Sequence, residues 1–242
     1  ILVKHPKVEI KQVTSERFAG KFVTRCHPNL RKLTPLQFCN LAEIEKCDLL
    51  FLCLPHGSGV GRIEKFMKLA QRIIDLSADF RLKNPKDYET WYDYNHPKPE
   101  LLKKFVYGIP ELHRAEMQKA KLISSAGCLA TASILGIYPL VKKGLIDLDK
   151  IVIDAKTGSS ASGNKPTEAG HHAERSGAMR SFKPTGHRHT GEMIQELTIG
   201  GKKPQVYFSA TSVEAVRGIL ATSQVWLKKD LDEKESWRVY RE

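Results

Sequence analysis

The octapeptide CDLLFLCL, which spans Cys47–Leu54, is almost continuously apolar. An apolar run of strand length is typical of a parallel β-strand that is covered on both faces. Two further short strands are predicted at Arg72–Leu76 and Lys121–Ser125, and Gly61–Ala70 has the spacing of an amphipathic helix. Strands that alternate with helices predict an α/β fold with a doubly wound parallel sheet.

The segment before this run predicts one more strand, Val8–Val13, because its apolar residues alternate with polar ones. Thr14 and Ser15 follow at the tip of that strand, with Arg17 close behind. A dinucleotide-binding sheet that takes NAD normally has Asp or Glu at this tip, where the carboxylate holds the ribose 2′-hydroxyl. Small hydroxyls beside a guanidinium favour a 2′-phosphate, so the sequence predicts NADP(H). The usual glycine fingerprint is expected just upstream of Ile1.

The second half of the chain has a different pattern. It predicts an α+β domain with a mostly antiparallel sheet, and a domain boundary close to Cys128. Its predicted helices and strands are Leu129–Leu140, Ile151–Lys156, Glu192–Leu197, Gln205–Ser209 and Leu220–Leu227.

Composition narrows the class of protein. With 242 residues, 41% of them hydrophobic and 27% charged, the chain is globular. It lacks an apolar run of the roughly 20 residues needed to span a bilayer, and its first residues do not resemble a signal peptide. Five cysteines without a C-x-x-C pair argue against a disulfide framework and against a zinc site. We therefore expect a cytoplasmic protein without a structural metal.

The formal net charge of +12 needs an electrostatic explanation, and a solvated basic surface is the default one. The Lys and Arg residues are scattered in ones and twos, without a basic run interleaved with aromatic residues, so nucleic-acid binding is disfavoured. An acidic partner protein or a phosphorylated substrate fits a dispersed basic surface better.

Cys128 is the candidate nucleophile. It follows a predicted buried strand and the pair Ala126-Gly127, and it opens a helix. The positive end of the helix dipole favours a thiolate at this position. The other four cysteines lie in predicted strands or polar loops and are interpreted as packing residues.

A nucleophilic cysteine needs an acid or base within reach, and two histidine pairs are candidates. In the first, His187 and His189 precede a predicted helix that Thr190 could cap, and Glu192 could orient an imidazole. The second pair, at positions 171 and 172, has no aligned third ligand, so a metal site there is weakly supported.

Two loops follow predicted parallel strands, at the sheet edge where open α/β folds bind ligands. The loop after Cys47–Leu54 contains Pro55, His56 and Gly57, and its small residues would let a cofactor approach. The loop after the next strand contains Arg81, whose guanidinium could fork onto a phosphate or carboxylate.

Taken together, the motifs resemble the N-acetyl-gamma-glutamyl-phosphate reductase family, in particular its archaeal and Thermus-type branch of lysine and arginine biosynthesis. The substrates of that branch are acyl phosphates of aminoadipate or glutamate, carried on a small acidic protein. The motifs that carry the resemblance are His5-Pro6, Thr14-Ser15, Phe18–Lys21, Leu54–Gly57, Asp75–Leu82, Tyr107–Leu112, Gly127-Cys128, His171–Arg175 and Gly186–Glu192.

The resemblance implies a fold and a set of sites. Residues 1–127 would form a Rossmann-type NADP-binding domain lacking its first strand and glycine loop. Residues 128–242 would form a catalytic and oligomerisation domain of the glyceraldehyde-3-phosphate-dehydrogenase type, in a homodimer or homotetramer. The implied cofactor contacts are Thr14, Ser15, Arg17, Pro55, His56, Gly57, Ser77 and Ala78. The implied substrate contacts are Arg81, Ser159, Ser160, Gly163 and Arg217.

The resemblance also implies a mechanism. Cys128 would attack the acyl phosphate and expel phosphate, NADPH would reduce the resulting thioester, and the semialdehyde would leave. His189 or His187 would carry the proton, with His189 favoured because Glu192 is near it in sequence.

Two alternatives stay open at this point. One is the same chemistry on free N-acetylglutamyl phosphate, for arginine alone. The other is a non-catalytic binding module, supported by the missing glycine fingerprint and by Ala126, where the family usually has proline. The family's proline-histidine pair before Val216-Arg217-Gly218 is also replaced here, by Ser209–Ser212.

Overall fold

The structure, a computed structural model, describes residues 1–163 and 166–241. Its strands are β1 (Val13–Thr14), β2 (Phe38–Cys39), β3 (Cys47–Leu52), β4 (Ala70–Asp75), β5 (Phe105–Gly108), β6 (Leu122–Ser125), β7 (Ile146–Thr157), β8 (Arg180–Lys183), β9 (Val206–Ser212) and β10 (Ile219–Leu227). Its α-helices are α1 (Val23–Cys26), α2 (Ile63–Leu69), α3 (Lys86–Tyr92), α4 (Pro99–Leu102), α5 (Pro110–Lys119), α6 (Cys128–Lys142), α7 (His172–Arg175), α8 (His189–Leu197) and α9 (Glu233–Arg241). Within these residues no helix is both long and apolar enough to cross a membrane.

The first half contains the predicted parallel sheet, in the order β3-β4-β6-β5. One apolar cluster lies against it, and its largest fully buried members include Phe66 of α2, Phe80 and Phe105. The rings of Phe80 and Phe105 stack with centroids 4.1 Å apart. All strands of a parallel sheet end at the same edge, so the loops after β3, β4 and β6 meet there.

The second half forms a mixed four-stranded sheet, in the order β10-β7-β9-β8. Two of its three pairings are antiparallel and β7 with β9 is parallel, so the prediction of a mostly antiparallel sheet is confirmed. Along β7, buried residues such as Ile151 and Ile153 alternate with partly exposed ones such as Val152. Helix α6 covers the buried face and also contacts α8.

Two local predictions are wrong. The predicted strand Val8–Val13 is paired only from Val13 onwards, because β2, its partner, spans two residues and a strand exists only where a neighbour completes its hydrogen bonds. Strand β3 is not covered on both faces: Leu49 is 38% exposed, since β3 lies at the edge of the described sheet with β4 as its single paired neighbour.

Candidate active site

Strand β6 ends at Ser125, and the turn Ala126-Gly127 leads directly into α6, whose first residue is Cys128. Cys128 is exposed and its thiol is free, as predicted for an accessible nucleophile. A residue at the first position of a helix has no intrahelical partner for its N–H, so this end of α6 presents donors to an incoming oxygen.

Gly127 is buried, and the site leaves no room for a side chain there. A methyl group at this position would lie 2.6 Å from Nε2 of His189 and 2.7 Å from Oε1 of Glu192, closer than side-chain carbons approach such atoms. The sequence therefore needs glycine at this position, because the two polar side chains of α8 pack directly on the turn that carries Cys128.

Glu192 is the centre of a buried polar cluster, with no exposed surface of its own. Its Oε2 accepts hydrogen bonds from the Tyr107 hydroxyl at 2.6 Å and from the Gly127 N–H at 2.8 Å. Its Oε1 lies 3.3 Å from Nη1 of Arg81. The Glu192 carboxylate, which was predicted as a catalytic group, thus binds both the turn before Cys128 and the Tyr107 hydroxyl.

All three groups of the Arg81 guanidinium have partners within the protein. Its Nε donates to the Ser125 carbonyl at 2.8 Å and its Nη2 to the Leu76 carbonyl at 3.1 Å, while Nη1 faces Glu192. With only 6% of the residue exposed, the guanidinium is committed to the protein. The prediction that Arg81 holds substrate phosphate does not fit this geometry, because desolvated donors already engaged by carboxylate and carbonyl oxygens cannot turn to a ligand without loss.

His189 lies beside the Cys128 turn in a buried position. Burial, and then the proximity of His187 and Arg81, lowers the pKa of His189 to about 2, so its imidazole is neutral at physiological pH. Its Nε2 lies 3.8 Å from Oε1 of Glu192, too far for a hydrogen bond, and its Nδ1 is buried without a hydrogen-bond partner among the described residues. A lone nitrogen of this kind has unused capacity for a proton or a ligand.

His187 supports His189. Its Nδ1 accepts the backbone N–H of His189 at 3.1 Å, and the two rings meet edge to face with centroids 4.7 Å apart. Burial, followed by the charges of Arg188 and Lys183, lowers the pKa of His187 to about 4. The prediction that Thr190 caps the helix is wrong: α8 begins at His189, and the His187 side chain satisfies the N–H of that residue.

The loops after β3 and β4 are joined at the open edge of the first sheet. The Ala78 N–H donates to Nδ1 of His56 at 2.8 Å, and the Gly57 N–H donates to Oδ1 of Asp79 at 2.6 Å. Gly57 has φ of +79°, a conformation that favours glycine. Pro55, His56 and Gly57 are exposed, so this edge is accessible to a cofactor.

Ser77 and Ala78 lie beneath that loop and not on its surface. They are 2% and 1% exposed, and the Ser77 hydroxyl is engaged with Asp75 and with the backbone N–H of Asp79. Direct contact with a cofactor, as predicted for both, does not fit this burial. They instead position His56 and Asp79, whose Oδ2 is buried without a partner among the described residues.

Thr14 and Arg17 are exposed at the end of β1, and the Ser15 hydroxyl accepts the N–H of Phe18 at 3.3 Å. The Arg17 guanidinium lies over the Phe18 ring, 5.1 Å from its centroid. An exposed hydroxyl followed by an accessible guanidinium fits a ribose phosphate. These residues, with Pro55–Gly57, are the groups that could hold NADP(H).

The predicted substrate residues of the second half lie in two loops that are bound together. The N–H groups of Ser159 and Ser160 donate to the carbonyls of Ala215 and Val216 at 2.9 and 2.8 Å. Gly163 has φ of +76°, and Arg217 is exposed. The structure therefore brings Ser159 and Ser160 to the loop that carries Arg217.

Tyr107 lies within a motif of the family but was not predicted as a site residue. An aromatic hydroxyl at the end of a buried strand is a signal that could have found it, because a buried hydroxyl needs a partner. The second histidine pair, at positions 171 and 172, is exposed, and within the described ranges no group of three His, Cys, Asp or Glu side chains is arranged to hold a metal ion.

A helix-opening cysteine beside a neutral buried histidine, at the open edge of a parallel sheet, fits an oxidoreductase of the semialdehyde dehydrogenase class. Family models agree: residues 1–120 match the semialdehyde dehydrogenase NAD binding domain, and residues 128–242 match the semialdehyde dehydrogenase dimerisation domain. Aspartate semialdehyde dehydrogenase II of Vibrio cholerae has the same fold, with a TM-score of 0.65 at 13% identity over 94% of this chain and 68% of that one.

Curated relatives narrow the class. The chain is 48% identical over 238 residues to the [LysW]-L-2-aminoadipate 6-phosphate reductase of Deinococcus radiodurans, covering 98% of this chain and 68% of the relative. It is 47% identical over 242 residues to the [LysW]-L-2-aminoadipate/[LysW]-L-glutamate phosphate reductase of Saccharolobus solfataricus, covering 98% and 69%. The chain belongs to this family of phosphate reductases, which confirms the branch that the sequence motifs predicted.

Proposed function

We propose that the protein catalyses the NADPH-dependent reduction of an acyl phosphate to the semialdehyde. The substrate is the acyl phosphate of α-aminoadipate, of glutamate or of both, linked to a small carrier protein. The reaction belongs to lysine biosynthesis, arginine biosynthesis or both. The observation that carries the proposal is the turn at Gly127-Cys128, with His189 packed against it in a chain of this family. A nucleophile at a helix N-terminus with a neutral imidazole beside it is suited to acyl transfer.

In the first step the Cys128 sulfur attacks the carbonyl carbon of the acyl phosphate, and the carbon–oxygen bond to phosphate breaks. His189 is neutral and has an unpartnered nitrogen, so it accepts the thiol proton. The imidazole then gives that proton to the departing phosphate oxygen and returns to its neutral form, which its lowered pKa favours. The free N–H groups at the start of α6 stabilise the carbonyl oxygen while it carries negative charge.

NADPH, when bound, supplies the hydride that reduces the thioester carbonyl. Thr14, Ser15 and Arg17 would hold its ribose phosphate, and Pro55, His56 and Gly57 would line its path across the sheet edge. The aldehyde leaves when the bond from Cys128 to carbon breaks, and the dipole of α6 stabilises the thiolate that remains. Ser159, Ser160, Gly163 and Arg217 would hold the acyl chain or phosphate.

The proposal includes two domains and an assembly. We divide the chain at residues 127 and 128, into an NADP-binding and a catalytic domain. The face of the mixed sheet opposite α6 carries exposed apolar side chains, among them Tyr207, Leu220 and Trp226, which supports a homo-oligomer that covers this face. The five free cysteines fit a cytoplasmic enzyme, and the net charge of +12 fits an acidic carrier.

The full-length protein with NADPH tests the proposal, by following NADPH absorbance while the acyl phosphate is generated in place. We expect oxidation with carrier-linked aminoadipate or glutamate, and little with free N-acetylglutamate. Oxidation with the free substrate alone would make this an arginine enzyme, and no oxidation with any of the three would favour a binding module.

The Cys128→Ser variant isolates the chemistry. We expect turnover to fall by about 10³-fold or more, with NADPH binding and the circular dichroism spectrum unchanged, because only the nucleophilic sulfur is lost. Mass spectrometry of a quenched reaction should find the acyl adduct on Cys128 of the wild type and none on the variant. Normal turnover by Cys128→Ser would exclude the thioester route.

A further inference from the structure

Tyr107 reaches the candidate active site from β5, the strand beside the one that leads into the Cys128 turn. It lies on β5, which pairs in parallel with β6, so that Tyr107 is opposite Ser124 and Gly108 opposite Ser125. The two strands approach so closely that a methyl group on Gly108 would lie 2.9 Å from the Ser124 carbonyl oxygen. Tyr107 is therefore fixed relative to the end of β6, one turn before Cys128.

The hydroxyl of Tyr107 is committed to one partner. It donates to Oε2 of Glu192 at 2.6 Å, and Tyr107 is only 2% exposed. Burial, and then the charge of Glu192, raises the pKa of Tyr107 well above its ordinary value, so the hydroxyl remains a donor throughout the working range of pH. The ring packs in the same apolar cluster as Leu129 and Ala130 of α6.

One oxygen of Glu192 joins Tyr107 to the nucleophile turn. The same Oε2 accepts the Gly127 N–H at 2.8 Å, so the position of that oxygen sets the position of Gly127. The other oxygen faces Arg81, which itself binds the Ser125 carbonyl. A carboxylate that lost its Tyr107 donor could rotate about its terminal torsion, which is soft, and loosen its bond to Gly127.

We propose that Tyr107 is a positioning residue for the reaction at Cys128, acting through Glu192 on the Gly127 N–H. This inference concerns the orientation of the nucleophile and rests on the proposed function for its turnover measurements. A misplacement of a reacting group by about 1 Å costs on the order of 10²-fold in rate. Because the Tyr107 hydroxyl is buried against Glu192, its loss should lower kcat and leave the KM for NADPH unchanged.

The test compares two tyrosines that differ in one respect. Tyr107→Phe removes a hydroxyl bound to Glu192, whereas Tyr92→Phe removes a nearby buried hydroxyl that has no hydrogen-bond partner among the described residues. We expect Tyr107→Phe to lower kcat by about 10- to 100-fold, with KM for NADPH within about twofold of wild type. Tyr92→Phe should retain wild-type kcat.

A second readout does not depend on the substrate. The rate at which iodoacetamide alkylates Cys128, followed by peptide mass spectrometry, reports on the sulfur and its surroundings directly. We expect this rate, and its pH profile, to change in Tyr107→Phe and to stay at the wild-type values in Tyr92→Phe. Since alkylation needs neither acyl phosphate nor NADPH, its result stands even if the proposed substrate is wrong.

A double-mutant cycle distinguishes positioning from a general loss of stability. If Tyr107 acts through Glu192, the double variant Tyr107→Phe/Glu192→Gln should have the kcat and alkylation rate of Glu192→Gln alone, within about twofold. Losses that multiply would overturn the proposal, as would a wild-type alkylation rate in Tyr107→Phe. Should Glu192→Gln fail to fold, alkylation of folded Tyr107→Phe against Tyr92→Phe still decides.

Discussion

Two turns at the same edge of the parallel sheet are built in opposite ways. The turn after β6, which carries Cys128, is bound by the buried side chains of Glu192 and Arg81. The loop after β3, Pro55–Gly57, is exposed and is bound to its neighbour by His56 and Asp79. The turn that carries the candidate nucleophile is thus fixed by buried side chains, whereas the proposed cofactor loop is accessible at the surface.

Gly127→Ala tests the rigid side and should have the largest effect. The added methyl would lie 2.6 Å from His189 Nε2 and 2.7 Å from Glu192 Oε1, so the turn or α8 must move. We expect kcat to fall by about 10²-fold or more and Cys128 alkylation to change, with NADPH affinity retained. Steady-state kinetics measure kcat, and a fluorescence titration with NADPH measures the affinity. Near-normal kcat would mean that the turn tolerates displacement and that the contrast with the loop is wrong.

Gly57→Ala tests the accessible side and should have a smaller effect. Nothing lies within 4 Å of the added methyl, but φ of +79° costs a non-glycine residue about 1–2 kcal/mol. We expect the KM for NADPH to rise by roughly 3- to 10-fold, with Cys128 alkylation unchanged. Gly61→Ala is the matched control, because its methyl also meets open space and its φ is not positive. Equal KM values for the two variants would contradict the role of the loop.

Sequence alone could predict much of the difference between the Cys128 turn and the loop after β3. A strand, a glycine, a cysteine and a helix in order fix where the nucleophile must be, because helix termini and strand ends have local signatures. His187 and His189, at the start of α8, could be assigned as candidates for the same reason. The packing of His189 against Gly127 is tertiary: it joins residues 62 positions apart, and no local pattern encodes it.

The roles of Arg81 and Glu192 could not be predicted for a related reason. Both were chosen for their chemistry, Arg81 as a phosphate ligand and Glu192 as a partner of histidine. In the structure Nη1 of Arg81 and Oε1 of Glu192 lie 3.3 Å apart, and the Tyr107 hydroxyl completes the cluster. In sequence, charged residues that pair with one another in a buried site cannot be told apart from charged residues that bind a ligand.

The two ends of helix α8 give a second comparison. The smallest effect that we predict is at the C-terminal end of this helix. Glu192, near the start of α8, is wholly buried. Glu196, near the end of α8, binds Nε2 of His113 on α5, and the His113 side chain is 25% exposed. The hydrogen bond to Glu196 is the largest influence on His113 and raises its pKa above 6.5; Glu116 acts in the same direction, and burial and Lys83 oppose them. This end of the helix should therefore respond to pH.

The direction of this pH dependence follows from proton binding by His113. His113 binds its proton more tightly in the folded protein, so its stabilisation is complete below pH 6.5 and is lost as pH rises through the raised folded-state pKa. We expect His113→Gln to lower the free energy of unfolding by about 1 kcal/mol at pH 6, because the bond is charge-assisted but partly exposed. The difference should shrink at pH 9. Urea unfolding at both pH values measures it, with His172→Gln, an exposed histidine, as a control that should match wild type. A difference that grows with pH would mean that His113 is neutral in the folded protein, and that both ends of α8 are held without a titrating charge.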